Sequence, residues 1–229
     1  MVIAGFQKIS LSDYPGKISA ILFTQGCNFR CRYCHNPELV DQSRYAAPLA
    51  VDALFGFLEE RVGRLGGVVV TGGEPTLHAD LPALLGRIKS LGLSVKLDTN
   101  GSRPDALEDV IGQGLVDYIA MDVKAPLAVY EKVTRVPVDP AAIARSIGIV
   151  LHAGLPHELR TTYLPSLLSA EDVRSIGGMV RGCRAFFLQA FRPTKTLDPS
   201  VLTEAAPDKA SLDSLCAMLV ATGIPAQVR

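Results

Sequence analysis

The sequence contains no tryptophan and has no excess of charge of either sign. Its 23 basic residues equal its 23 acidic residues, so electrostatics gives no reason to expect nucleic acid or an anionic membrane as a partner. The apolar runs are short and interrupted, and none approaches the roughly 20 residues needed to span a bilayer. The N-terminal segment lacks the pattern of a secretory signal peptide. We therefore expect a cytoplasmic protein.

Cysteine is scarce as well, and its distribution excludes a disulfide framework. The chain has five cysteines, an odd number, and three of them fall within eight residues. The other two, Cys183 and Cys216, are too few to ligate a second complete iron–sulfur cluster. We expect them to be ordinary buried residues, since Cys216 lies in a periodic apolar segment.

The three clustered cysteines are Cys27, Cys31 and Cys34, in the pattern C-x3-C-x2-C. A 4Fe–4S cluster normally takes four thiolates, so three leave one iron open for chemistry. A structural zinc site would need a fourth ligand, and the adjacent His35 is poorly placed to complete a tetrahedron. The spacing favours a cluster with an open iron and leaves a zinc site as the alternative.

Apolar runs typical of strands alternate with periodic, helix-like segments along the chain. Strands are predicted at 19–26, 67–73, 93–101, 116–126, 157–165 and 184–191. Helices are predicted at 48–65, 80–92, 103–114, 139–154, 169–182 and 206–223, and the last residues form a terminal strand or a tail. This alternation predicts an α/β fold with parallel strands and right-handed crossovers, in a single domain over residues 1–229.

Chemically interesting residues follow the carboxyl ends of the predicted strands, which is the active face of a TIM-like barrel. They are Cys27 after the first strand, Gly72 to Pro75 after the second, Asp98 to Asn100 after the third, Asp122 and Lys124 after the fourth, and Gln189, Phe191 and Arg192 after the last. No G-x-G-x-x-G fingerprint follows the first strand, which disfavours a dinucleotide-binding fold.

The segments TQGCNFRCRYCHNPEL and TGGEP resemble the radical S-adenosylmethionine (SAM) superfamily. The resemblance implies a partial (β/α)6 TIM-like barrel, with a 4Fe–4S cluster on the three cysteines and SAM as cofactor. It also implies that Gly72, Gly73, Glu74 and Pro75 contact the methionyl amino group. The glycines would let the backbone approach the ligand, and Glu74 would accept hydrogen bonds from the ammonium.

The segments LDTNG and MDVK are similar to segments that line the cofactor in activases of glycyl-radical enzymes. The resemblance makes Asp98, Thr99, Asn100, Asp122 and Lys124 candidate SAM contacts. Some of those activases bind a monovalent cation through the two aspartates, and carboxylate oxygens suit a hard cation.

Two arginines are the remaining candidates. Phe191-Arg192 stands where some pyruvate formate-lyase activases carry a Tyr-His pair, and Arg192 is a candidate contact to the ribose. Arg160, inside an apolar strand, needs a partner, and a site role and a structural ion pair are both open.

The segment from Gly5 to Val40 resembles most closely the activating proteins of anaerobic ribonucleoside-triphosphate reductases. The resemblance implies an oxidoreductase in which flavodoxin or ferredoxin reduces the cluster and SAM is cleaved to methionine and a 5′-deoxyadenosyl radical. That radical would take hydrogen from a glycine Cα of the partner reductase. No acid–base pair is needed, and the cofactor supplies the difficult chemistry.

Three alternatives stay open. The protein could activate another glycyl-radical enzyme such as pyruvate formate-lyase, and the Phe191-Arg192 departure speaks mildly against that. It could act on a small molecule, as a deazapurine synthase does, and would then turn over without a protein partner. It could also be a non-catalytic iron–sulfur or zinc protein, which predicts four protein ligands and no spectral response to SAM.

Overall fold

The computed structural model describes residues 1–229 as two compact units built from interleaved segments. The first unit comprises Met1–Asn28, Glu38–Thr99 and Asp105–Ile119, and the second comprises Phe29–Pro37, Asn100–Pro104 and Ala120–Arg229. The strands are β1 (Ile3–Ser10), β2 (Ser19–Thr24), β3 (Gly67–Gly72), β4 (Ser94–Thr99), β5 (Tyr118–Asp122), β6 (His157–Tyr163), β7 (Phe186–Ala190) and β8 (Ala226–Val228). The helices are α1 (Pro37–Val40), α2 (Val51–Glu59), α3 (Leu81–Ser90), α4 (Pro104–Gly112), α5 (Tyr130–Thr134), α6 (Pro140–His152), α7 (Ala170–Met179) and α8 (Lys209–Ala221).

Strands β1 to β4 belong to the first unit, where they pair in chain order. β1 runs antiparallel to β2, whereas β2, β3 and β4 are parallel. The pairing of β2 with β3 runs from Ser19 opposite Gly67 to Thr24 opposite Gly72. The carboxyl ends of these two strands therefore lie side by side, which brings the segment before Cys27 next to the GGEP segment.

The first unit is held by apolar strands covered by amphipathic helices. The central residues of β3, Val68, Val69 and Val70, are almost fully buried, as near-continuous apolar runs in parallel strands require. Helix α3 begins with a proline in its first turn and buries Leu81, Leu84, Leu85 and Ile88 on one face.

In the second unit β6, β7 and β8 are parallel neighbours. Helix α7 begins with a capping box in which Ser169 and Asp172 satisfy each other's backbone N–H groups. Helix α8 buries Leu212, Leu215, Cys216 and Leu219. Cys183 is buried too, so both isolated cysteines lie in the interior.

All six predicted strands are present; five are slightly shorter than predicted, whereas the strand predicted over 116–126 is reduced to Tyr118–Asp122. The predicted α/β class with a parallel sheet is confirmed. Strand β1 was not predicted, and the C-terminal segment forms strand β8. No helix is both long and apolar enough to cross a membrane. The prediction of one domain over residues 1–229 stays a prediction.

Candidate functional site

Cys27 follows the carboxyl end of β2 in a segment fixed by backbone hydrogen bonds. The Gln25 N–H donates to the Val2 carbonyl at 3.0 Å, and the Gly26 N–H donates to the Leu39 carbonyl at 2.8 Å. Gly26 has a φ of 95°, a left-handed conformation that glycine adopts at no steric cost. The chain is therefore held by its backbone as it enters the cysteine loop, which we define as residues 27–35.

The two glycines of the GGEP segment are required by a backbone contact within the first unit. A Cβ on Gly72, where φ is 123°, would lie 2.3 Å from the Thr24 nitrogen, and one on Gly73 would lie 1.9 Å from the Gly26 carbonyl oxygen. The Gly73 and Glu74 N–H groups donate to the Thr24 and Gly26 carbonyls at 2.9 and 2.8 Å. The sequence suggested that these glycines let the backbone approach a ligand. The structure adds a steric reason, because neither position has room for a Cβ.

Glu74 is 1% exposed and its carboxylate is held by hydroxyl and backbone donors. Its Oε1 accepts from the Thr76 N–H at 3.0 Å, from the Thr76 hydroxyl, and from the Thr99 hydroxyl at 2.8 Å. Thr99, predicted as a cofactor contact, thus reaches Glu74 directly. Thr76 was not among the predicted site residues, although a threonine two residues after a helix-capping glutamate is a recognisable local signal.

Asp98 lies one residue before Thr99 at the end of β4 and is paired with a buried lysine. The Lys96 Nζ lies 2.7 Å from the Asp98 Oδ1, and the Lys96 side chain is 2% exposed. The same ammonium lies 5.8 Å from the centre of the Tyr118 ring. Side chains two apart on a strand point to the same face, which places both charges together.

In the second unit, Cys31 and Cys34 share one turn, since the Cys34 N–H donates to the Cys31 carbonyl at 3.0 Å. Burial raises the pKa of the Cys31 thiol to about 11, and the Lys124 ammonium opposes that shift. Phe29 and Tyr33 are each 3% exposed, so both aromatic residues of the loop are buried as packing residues would be.

The Asp122 carboxylate lies between two cationic groups. Its Oδ2 accepts from the Lys124 Nζ at 3.0 Å and its Oδ1 from the Arg160 Nε at 2.8 Å. Burial acts to raise the pKa of Asp122, but Arg160 and Lys124 outweigh it and hold that pKa well below its usual range. For Lys124, burial lowers the pKa and Asp122 raises it, with a net shift well above the ordinary value.

Arg160 connects this pair to a second acidic group. One of its terminal nitrogens lies 3.6 Å from the Oε1 of Glu158, which is buried and also accepts from Arg229 at 3.0 and 3.2 Å. The sequence left open whether Arg160 has a site role or a structural ion pair. The structure gives it an ion pair whose partner, Asp122, is itself a predicted site residue.

Asn100 and Arg192 are two further residues that the sequence predicts as SAM contacts. Asn100 shapes a turn, and the side chain of Arg192 is exposed. The Asn100 Oδ1 accepts from the Ser102 N–H at 2.9 Å, which shapes the turn after β4. The Arg192 side chain is exposed, while its carbonyl lies 2.9 Å from the His35 Nε2. The Phe191 ring stacks on His35 with centroids 5.8 Å apart.

The donor chemistry fits an iron–sulfur cluster with a cofactor beside it. None of the cysteines forms a disulfide, so the thiols of the loop are available as thiolate ligands. The hydroxyls of Ser19, Thr24 and Tyr33 are buried without a hydrogen-bond partner. The Tyr33 hydroxyl belongs to the unit that contains Cys31 and Cys34, and a polar atom of a bound group would satisfy it. Within each unit, no three His, Cys, Asp or Glu side chains surround a common point. Ligation of one cluster by all three cysteines therefore stays a prediction.

Comparison with known sequences gives two informative relatives. A putative glycyl-radical enzyme activating enzyme of Methanocaldococcus jannaschii is 32% identical over 202 residues, covering 86% of this chain and 82% of that protein. A pyruvate formate-lyase-activating enzyme of Streptococcus mutans is 40% identical over 92 residues, which is 38% of this chain and 35% of that protein.

The fold resembles that of solved structures at much lower identity. Streptococcus suis SuiB bound to its precursor peptide SuiA superposes with a TM-score of 0.72 at 14% identity, covering 91% of this chain and 48% of that one. At that identity the likeness describes the fold alone. The sequence pattern of the Radical SAM superfamily matches residues 21–176, more than half of the chain. With the cysteine triplet, the GGEP segment and the parallel α/β fold, this match shows that the chain belongs to the Radical SAM superfamily.

Proposed function

We propose that this protein is an activating enzyme that generates a glycyl radical on an anaerobic ribonucleoside-triphosphate reductase. The observation that carries the proposal is the relative from Methanocaldococcus jannaschii, described as a putative glycyl-radical enzyme activating enzyme and similar over most of both chains. The choice of a reductase rests on the resemblance of the segment from Gly5 to Val40 to reductase activases.

In this proposal Cys27, Cys31 and Cys34 would hold a 4Fe–4S cluster with SAM beside it. The bound, reduced cluster would supply the electron for reductive cleavage of SAM, which is the source of the radical chemistry. Flavodoxin or ferredoxin is the proposed electron donor.

The chain's own residues orient the cofactor. Glu74, held by Thr76 and Thr99, accepts hydrogen bonds from the methionyl ammonium. The Lys124 ammonium, kept charged by Asp122, neutralises a carboxylate of the ligand or donates to its ribose.

A monovalent cation at Asp98 and Asp122 is not part of the proposal. Asp98 is paired with Lys96, and Asp122 with Lys124 and Arg160. Because each carboxylate already faces a cationic side chain at 3.0 Å or less, a bound cation would meet like charge beside its ligands.

The first test is electron paramagnetic resonance of the anaerobically reconstituted, reduced protein with and without SAM. We expect the cluster signal to change when SAM is added and 5′-deoxyadenosine to form. Cys31→Ala should abolish the 4Fe–4S signal, whereas Cys216→Ala, a buried cysteine of α8, is the matched control and should keep it. An unchanged spectrum with no cleavage would refute the radical chemistry.

The target is tested separately by incubating the loaded protein with an anaerobic ribonucleotide reductase or with pyruvate formate-lyase. A glycyl-radical signal on the reductase supports the proposal. The second candidate is activation of pyruvate formate-lyase, favoured by the relative from Streptococcus mutans. A signal on the lyase and none on the reductase would replace the first candidate with the second.

A further inference from the structure

The irregular segment after β7, residues 192–204, lies along the part of the cysteine loop, residues 29–35, that belongs to the second unit. The Leu197 N–H donates to the Cys34 carbonyl and the Asp198 N–H donates to the Arg32 carbonyl, both at 3.0 Å. We call residues 192–204 the strap. The two bonds satisfy the carbonyls of Arg32 and Cys34, so the strap fixes the backbone path between Cys31 and Cys34.

A side-chain link reinforces this backbone contact. The Arg32 Nε donates to the Asp198 Oδ2 at 3.0 Å, and its terminal nitrogen donates to the Ser200 hydroxyl at 2.9 Å and lies 3.3 Å from the Glu204 carboxylate. Arg32 and Asp198 side chains are only 27% and 25% exposed, so their charges are less screened than those of a surface pair.

The two oxygens of Asp198 serve different partners. Oδ1 accepts from the Ser200 N–H and hydroxyl at 3.0 and 2.7 Å, which caps the short helical turn that follows. Oδ2 accepts from Arg32 and, at 3.2 Å, from Arg135. Hydrogen bonds from Ser200 first, and then from Arg32, lower the pKa of Asp198 to about 2, so the carboxylate is ionised at neutral pH.

We propose that Asp198, acting through Arg32, is a positioning residue for Cys31 and Cys34, and that the strap holds the cysteine loop in the conformation that retains the cluster. The inference rests on the proposed function, because it assigns Cys31 and Cys34 as cluster ligands. It adds residues more than 160 positions away in sequence to the machinery of the cysteine loop.

The decisive variant is Asp198→Asn. The amide oxygen of the asparagine still accepts hydrogen bonds from Ser200, so the cap is preserved. The amide NH2 group, however, is a donor without negative charge and cannot accept from Arg32. Arg135→Ala is the matched control, because it removes the other contact to Oδ2 from an exposed side chain and leaves Arg32 untouched. Arg32→Ala removes the same link from the loop side, and Arg32→Lys restores the charge.

Cluster retention is measured as the rate of iron transfer from the anaerobically reconstituted protein to an iron chelator. We expect Asp198→Asn and Arg32→Ala to accelerate iron loss about fivefold each, and the double variant to be no faster than either one. Arg135→Ala should release iron at the wild-type rate, and Arg32→Lys should restore most of the retention. The g-values of the reduced cluster should shift in Asp198→Asn while the midpoint of thermal unfolding stays constant.

A second measurement, alkylation of Cys31 in the metal-free protein, does not depend on the cluster. Cys31 is 6% exposed, and its alkylation by iodoacetamide should be about fivefold faster in Asp198→Asn than in wild type or Arg135→Ala. Equal alkylation and equal iron release in Asp198→Asn and wild type would overturn the inference. A wild-type protein that assembles no 4Fe–4S cluster would instead refute the proposed function, and faster alkylation in Asp198→Asn would then show that the strap still holds the loop.

Discussion

Glu74 and Gly73 are adjacent residues whose identities have different physical causes. Glu74 is a buried carboxylate kept in place by donors from Thr76 and Thr99, and we propose that it accepts hydrogen bonds from a ligand. Gly73 instead packs against the Gly26 carbonyl, where a side chain has no room. One motif therefore combines a chemical requirement with a steric one, and a sequence pattern by itself does not separate the two.

The steric requirement predicts that Gly73→Ala is strongly destabilising. Its Cβ would lie 1.9 Å from the Gly26 oxygen, a backbone atom that cannot swing away as a side chain would. We expect a loss of about 3 kcal/mol in the free energy of unfolding of the metal-free protein, measured by urea denaturation. Gly148→Ala, mid-helix in α6 with nothing within 4 Å of its added Cβ, should gain about 0.5–1 kcal/mol. Equal stabilities for the two variants would contradict the argument.

At the level of elements, strands with continuous apolar runs were predictable and contacts between distant segments were not. GVVV marks β3 because a parallel strand buried on both faces needs apolar residues throughout. β1 was not predicted because IAGFQKIS lacks a regular alternation of apolar and polar residues, and only its pairing with β2 identifies it as a strand. The strap was not predicted because its hydrogen bonds to the cysteine loop join residues far apart in sequence, which leaves no local sequence pattern.

Helix α7 offers a test of a local capping rule. The Ser169 hydroxyl accepts from the Asp172 N–H at 3.1 Å, and the Asp172 carboxylate accepts from the Ser169 N–H at 2.8 Å. Ser169→Ala should lower the free energy of unfolding by about 1 kcal/mol in urea denaturation. Ser175→Ala, an exposed position inside the same helix, is the control and should have little effect or a small gain. A cost for Ser175→Ala as large as that for Ser169→Ala would rule out the cap as the cause.

For the whole molecule, the balance of 23 basic and 23 acidic residues means that net charge does not drive its stability near neutral pH. At high pH, stability depends instead on buried phenol groups whose pKa is raised by folding. Tyr14 is an example: it is 3% exposed, packs with Ile21 and Val69, and its ring lies 5.8 Å from that of Tyr118. Burial, with a further contribution from Asp117, raises the pKa of Tyr14 to about 12.

Tyr14 therefore sets part of the alkaline limit of stability. Its pKa is about 10 when unfolded, so the unfolded chain loses this proton first, and the stabilisation present below about pH 10 disappears as the pH rises towards about 12. We expect wild type to lose about 2 kcal/mol of unfolding free energy relative to Tyr14→Phe between about pH 8 and about pH 11.5. Urea denaturation of the reduced, metal-free proteins at both pH values measures this, with the partly buried Tyr45→Phe as control. A constant difference between wild type and Tyr14→Phe at the two pH values would show that the Tyr14 phenol does not couple ionisation to unfolding.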